Sequence, residues 1–282
     1  MSENPSVLTE APVPKPEADI LSPTTSPNPN SVEDQSFISR TRSYLLEDVR
    51  PSGFVEFELV LLTFCTGIQD AISFPDYGCF ASNQTGNTIF LVVALILPWL
   101  DGDTFFVPNI GAALGFFLLG GWLTGQLSHI IGARKRLWLV CCNLVQAILV
   151  SVAAELQLKY GVTGQGSMAV VAIGLLAFAS GSQVIQSRSM KMTEISTAMA
   201  TAAWVDLVID PKLLHVKNRP RTRRIMFLLA LIGGALLGAG IYRVAGSAVA
   251  VFVSAAGKLV VAIMYLFNGA DKPKNIESDA NC

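Results

Sequence analysis

Six stretches of this chain are apolar over lengths that water-soluble folds rarely sustain: about 54–75, 107–131, 137–156, 167–187, 225–244 and 246–268. A hydrocarbon core of roughly 30 Å takes about 20 helical residues to cross, and inside it every backbone N–H and C=O must find a partner within the protein. Six such stretches restrict the fold to an all-α, polytopic membrane helix bundle. Only 15% of the residues are Asp, Glu, Lys or Arg, where soluble domains usually carry about 25%. The net charge of -1 gives no reason to expect a nucleic-acid partner, and the first partner expected is the lipid bilayer.

The rest of the chain is of different material. Residues 1–50 hold half of the 14 prolines, mixed with Ser, Thr, Asn and Glu, which predicts a disordered tail ahead of a bundle at 54–268. A short polar tail, 269–282, follows. The start lacks the basic, apolar and small-residue regions of a secretory signal, so the first helix is expected to direct insertion. Cys65, Cys141 and Cys142 lie in apolar runs without metal-type spacing and read as packing residues, and Cys282 is too near the end to begin a prenylation box.

Two shorter segments, 85–100 and 193–210, are apolar but interrupted, the first by Pro98 and the second by Ser196, Thr197, Thr201 and Asp206. Basic loops mark the cytoplasmic side. Arg134, Lys135 and Arg136 form one such loop; Lys212, Lys217, Arg219, Arg221, Arg223 and Arg224 form another. Both fall on one side if the two short segments are re-entrant, which gives six spans with both termini cytoplasmic. Letting only 85–100 cross gives seven spans and an external tail.

GIQDAISFPDYGCFASNQTGN, residues 67–87, places an aspartate, amides and hydroxyls inside this apolar run. Gly67 and Gln69 recur as Gly181 and Gln183 near the end of the fourth span, each followed by a small-and-hydroxyl segment that aligns Thr85 with Thr201 across a two-residue gap. In the six-span topology the two units enter from opposite sides, the inverted-repeat arrangement of many secondary transporters. The motif, with its Gly-x-Gln-Asp-Ala opening and Thr-Gly-Asn close, resembles the signature of the YoaK-like family, multi-pass membrane proteins classed as a domain of unknown function. The resemblance covers about 54–268. It implies some six membrane helices and no assigned activity. The second unit departs from the signature: no glycine follows Thr201, and Val184 stands at the position of Asp70.

A charged side chain near the bilayer centre costs roughly 2.5–3.5 kcal/mol on insertion scales, so Asp70 needs a partner or water. Thr63, Thr66, Asp70 and Ser73 share one helix face, expected to point inward as a pathway lining or as interhelical bonding. Ser180, Gln183 and Ser187 form a similar stripe, and Gln126 with His129 a smaller one. Lys258, mid-span, is expected to be the counter-ion of Asp70 or Asp206. Asn83, Gln84, Thr85 and Asn87 around Gly86 offer donors and acceptors at a tight turn. Asn83–Thr85 is formally a glycosylation sequon, inaccessible at this depth.

The candidate substrate- or ion-binding set is therefore Gln69, Asp70, Asn83, Thr85, Gly86, Asn87, Gln183, Thr201, Asp206 and Lys258. Gly111, Gly115, Gly121, Gly125, Gly234 and Gly238 form small-xxx-small pairs, read as close helix packing or a homodimer face. No phosphate loop, HExxH or catalytic histidine pattern occurs, so neither an enzyme nor a cofactor is expected. The favoured expectation is a plasma-membrane carrier of an unknown small solute, coupled to protons. The alternative is a non-transporting scaffold acting through the basic loop and tail.

Overall fold

The structure is a computed structural model that describes residues 39–102, 105–192, 194–195, 197–215 and 217–271. Most of the 1–50 tail, the C-terminal residues beyond 271 with Cys282, and Ser196 lie outside them. The described residues from 42 to 271 belong to one compact unit.

The helices are α1 (39–46), α2 (Gly53–Tyr77), α3 (Gln84–Ile96), α4 (Val107–Ile131), α5 (Arg136–Tyr160), α6 (Ser167–Ser189), α7 (Ala200–Val208), α8 (Arg219–Ala245) and α9 (Ser247–Met264), with 3-10 turns at Pro98–Leu100 and Tyr265–Phe267. Six of them, α2, α4, α5, α6, α8 and α9 with its following turn, are long and apolar enough to cross a membrane. The protein is an integral membrane helix bundle. Helix α8 starts six residues before the expected 225, because Pro220 sits in its first turn and the Asn218 side chain accepts the Arg221 N–H at 3.1 Å. A cap of this kind, with a proline already held at a helical φ, starts a helix even where the sequence is still basic.

Helices α3 and α7 do not cross. Thirteen residues of α3 rise about 20 Å, short of the roughly 30 Å of hydrocarbon, and α7 has 9 residues.

The most extensive packing joins α4 to α6, α2 to α8 and α5 to α9. Glycine sets the closest of these approaches. Gly67 lies on the backbone of Leu231 and Ala235, and Gly234 on that of Phe64. In the other half Gly181 lies on Phe117 and Gly120 on Phe178. A Cβ at any of these four would overlap backbone, so only hydrogen fits. The pairs Phe64 and Phe178, Gly67 and Gly181, Phe117 and Leu231, Gly120 and Gly234 keep one constant separation along the chain. The pattern maps α2–α5 onto α6–α9, and each half has three crossing helices and one short one. An odd number of crossings makes the halves run in opposite directions, so the bundle is an inverted repeat.

The glycines expected to pack helices are partly others. Gly234 and Gly238 do meet α2 backbone, at Phe64 and Ile68, but Gly111 and Gly115 have nothing within 4 Å. On α4 the close approach is made by Gly120, one register off the predicted pairs, because the contact falls where α6 crosses.

Both basic loops gather at the end where α2 begins. Arg136 is fully buried there. It donates to the carbonyls of Tyr44 at 2.5 Å and Asn268 at 2.6 Å, pairs with Glu47 at 3.3 Å, and lies 3.6 Å from the Tyr44 ring centroid. Arg219 and Arg223 both reach Glu56, Arg223 also Glu194, and Arg224 reaches Asp206 and Asp210. At the opposite end Asn109 donates to the carbonyls of Tyr77 and Gly164, and Asp76 accepts from Ser247 and Gln157. Residues 44–50 and 268–271 thus share the basic end, as the six-span arrangement requires and the seven-span one forbids.

Candidate functional site

Helix α2 runs through Pro75 to Tyr77, two residues past the expected end of the first span, so the first half of the 67–87 motif is helical and the break comes after it. It begins at Gly78, whose φ of 67° ends the helix in a left-handed turn while its N–H bonds Phe74 O. The chain then doubles back along α2. Ala81 N donates to Ser73 Oγ at 3.1 Å; Ser82 N and Oγ donate to the two carboxylate oxygens of Asp70 at 2.8 and 2.5 Å. Asp70 lies seven residues before Tyr77, so residues 78–82 descend about 10 Å beside the helix. There α3 begins, its first turn capped by Asn83 Oδ1 on Gly86 N at 3.3 Å. Buried Asn87 ties the descending and ascending arms together: its side chain bonds both Phe80 N and Phe80 O, and Gln84 Oε1. Phe74, Phe80, Phe90 and Phe105 pack in a row along this hairpin.

The second half repeats the device with different chemistry. Ser187, at the position of Ser73, accepts from Thr197 Oγ1 at 3.4 Å before α7 starts at Ala200. The positions of Asp70 and Ser82 hold Val184 and Ala198, so this tip has no carboxylate clasp.

The two hairpin tips border one cavity of about 580 Å³. Asp70, Asn83, Thr85 and Gly86 line it from the first half, Arg188 and Thr201 from the second, with Phe117 and Leu231 as apolar wall. Four of the ten predicted residues belong to the first hairpin's share of this wall and one, Thr201, to the second's. A groove of similar size between α5 and α9 is almost wholly apolar, Glu155 and Ser151 apart.

The remaining predicted residues are elsewhere. Gln69, Gln183 and Lys258 lie in the buried core behind the cavity. Gln69 donates to Ser254 at 2.8 Å and accepts from Ser180; Gln183 donates to Thr66 at 2.8 Å and accepts from Lys258; Gln146 accepts from Lys258 at 3.5 Å and donates to Ser182 and Gln186. Lys258 therefore meets carboxamide oxygens, and is not the counter-ion of Asp70 or Asp206. Asp70 is held by Ser82, and Asp206 is exposed on α7 beside Arg224 at 3.5 Å. Asn87 makes its bonds within the first hairpin, and Gln126 and His129 lie on the exposed face of α4 instead of an inward stripe. Hydrogen bonds from Asn218 and from Lys212 N hold the Asp210 carboxyl below the usual carboxylate range. Among the described residues no group of His, Cys, Asp and Glu is placed to hold a metal ion.

Sequence reasoning passed over Glu58, Asp76, Arg136, Asn143, Gln146 and Gln157, all buried. Asn143 and Gln146 stand at i, i+3 on an otherwise apolar helix, a signal equal to that of the serine and glutamine stripe on α6. Arg136 gave none, being one of three adjacent basic residues in a loop.

Neither the curated proteins nor the solved structures include a match to this chain. A family described as protein of unknown function (DUF1275) matches residues 59–264, nearly the whole bundle. That span contains the 67–87 motif and both hairpins, and the chain belongs to this family, the YoaK-like family its motif resembles.

Proposed function

We propose that the protein carries a small solute across the membrane, the cavity between the two hairpin tips being its binding site. One observation carries this reading: the cavity lies where the re-entrant segments of two inverted halves meet, and each half lines it with polar side chains. Irregular backbone at membrane depth is tolerated where it lines such a cavity, and rocking of one half against the other then opens the site to alternate sides. Asp70 with Ser82, Asn83 and Thr85 offers acceptors and donors from one side; Arg188 and Thr201 offer them from the other. The proposal includes a cytoplasmic location for the basic end, by the excess of Lys and Arg there, the plasma membrane as its site, and a homodimer through the open face of Gly111 and Gly115.

The scaffold reading rests on the basic loop and on a tail that lies mostly outside the described residues. Arg219, Arg223 and Arg224 of the basic loop are engaged by Glu56, Glu194, Asp206 and Asp210, which leaves few cations for an acidic partner.

The test places single cysteines at Thr85 and Thr201 in a cysteine-free background and labels them from each side with a membrane-impermeant thiol reagent. A carrier labels at both positions, and Asp70→Asn shifts the two rates in opposite directions. Protection of both positions from both sides would make the cavity a packing defect and end the proposal.

A further inference from the structure

Glu58 lies in the first half of α2, fully buried, 12 residues before Asp70. Its Oε1 accepts from Asn268 Nδ2 at 2.7 Å. Its Oε2 and the Asn268 Oδ1 are both buried without a hydrogen-bond partner. A buried carboxylate so placed lacks a donor for one oxygen, and a carboxamide beside it lacks a donor for its own.

Two unpartnered acceptors flank a carboxyl–carboxamide pair that is already joined by one N–H···O bond. A single proton on Oε2 supplies the second: Oε2–H donates to Asn268 Oδ1 while Asn268 Nδ2–H donates to Oε1, closing a two-bond ring. Among the described residues no neighbouring group donates to either oxygen. From the turn after α9, the buried Tyr265 Oη donates to neither of the two oxygens. From α5, Arg136 gives its two terminal nitrogens to Tyr44 O, Asn268 O and Glu47 while its Nε is buried and bonds neither oxygen, and Cys142 is a buried thiol. From α8, Arg219 and Arg223 are committed to Glu56, and Gln186 of α6 is bonded to Gln146 and Leu139 O.

We propose that Glu58 is a proton-binding site: it stands in the bundle as the neutral acid, taking its proton from the aqueous phase at the basic end and holding it in a ring with the Asn268 carboxamide. The assignment is independent of whether the protein carries a solute. It places a proton-binding carboxyl three turns before Asp70 on the same helix.

Glu58→Gln replaces the acid O–H with an amide N–H and preserves both bonds of the ring. The detergent-solubilised full chain is examined by infrared spectroscopy, in H2O and D2O, and by thermal unfolding across pH. Glu58→Gln is expected to lose a carbonyl band of a protonated carboxylic acid and to unfold at the wild-type temperature near neutral pH, while Glu58→Ala unfolds lower. Wild type is expected to lose stability as the pH is raised, since the folded state holds a proton the unfolded state releases, and Glu58→Gln to lack that loss. An unchanged carboxylic-acid band in Glu58→Gln, or unfolding of Glu58→Gln at the temperature of Glu58→Ala, overturns the proposal and means an ionised carboxylate solvated by water or a cation.

Discussion

Asp70→Asn tests what holds the first hairpin down. In the wild type both carboxylate oxygens accept from Ser82, at 2.8 Å from its N–H and 2.5 Å from its hydroxyl, and bonds to a charged acceptor contribute about 1.5–3 kcal/mol each. The amide keeps one acceptor oxygen and turns an NH2 group toward the other donor, so one bond is lost or reversed and the survivor is neutral. The expected loss is about 2–3 kcal/mol of local stability, which at tenfold per 1.4 kcal/mol raises opening about 30- to 150-fold. Hydrogen exchange of the amides at 80–83 reads this directly, with the α5 core as an internal reference. Ser82→Ala, which spares the backbone bond, is expected to cost less, and the double variant less than the sum of the two because the partners are shared. Exchange at 80–83 that rises less than about threefold, in a protein that remains folded, would show that the Asn87 bonds alone hold the tip.

Two further perturbations separate the packing from the site. Gly67→Ala and Gly181→Ala each force a methyl into the backbone of the facing helix and are expected to destabilise by about 1–3 kcal/mol or more, whereas Gly115→Ala, in open space, is expected to be neutral or to gain up to about 1 kcal/mol of helix propensity; denaturant unfolding in detergent decides, and equal sensitivity at Gly115 would refute the assigned contacts. Arg136→Ala leaves the buried carbonyl of Asn268 without its donor and Tyr44 O with the Glu47 N–H alone, and is expected to cost about 1–3 kcal/mol, with Arg136→Lys intermediate because an ammonium cannot span both carbonyls; a loss well below about 1 kcal/mol in the same assay would place Arg136 among ordinary surface ions.

The spans were legible because apolar length is a property of the local sequence, and the predicted ends of α4 coincide with the observed ones while those of α2, α5 and α6 differ by a few residues. The two short segments were legible from their length, and Thr63, Thr66 and Ser73 from helical periodicity, since all three are buried. The identity of partners was not. Periodicity says which face a residue occupies and nothing of what the facing helix brings, so Lys258 found Gln183 and Gln146 where a carboxylate was expected. Gly120 escaped notice because a single tight crossing needs one glycine opposite one carbonyl, and the spacing of four residues that marks a small-residue motif need not include it. Arg136 looked like a loop residue because neighbours that flank it in sequence are solvated, while its own side chain turns under the chain ends at 44 and 268.

In the proposed carrier, the inequality of the two hairpins bears on which state the protein occupies at rest. If both halves were identical, the conformations with one tip open and with the other open would be equal in energy and equally populated. Asp70 with Ser82 on one side, against Val184 with Ala198 on the other, lifts that degeneracy. A difference of about 2–3 kcal/mol leaves the clasped-tip-open form a few per cent of the population or less. The α7 tip is then the one that yields first, and a ligand that prefers the clasped tip open must supply that free energy from its own binding. In such a carrier, an aspartate in only one of two related hairpins gives the molecule a direction in which it is biased to wait.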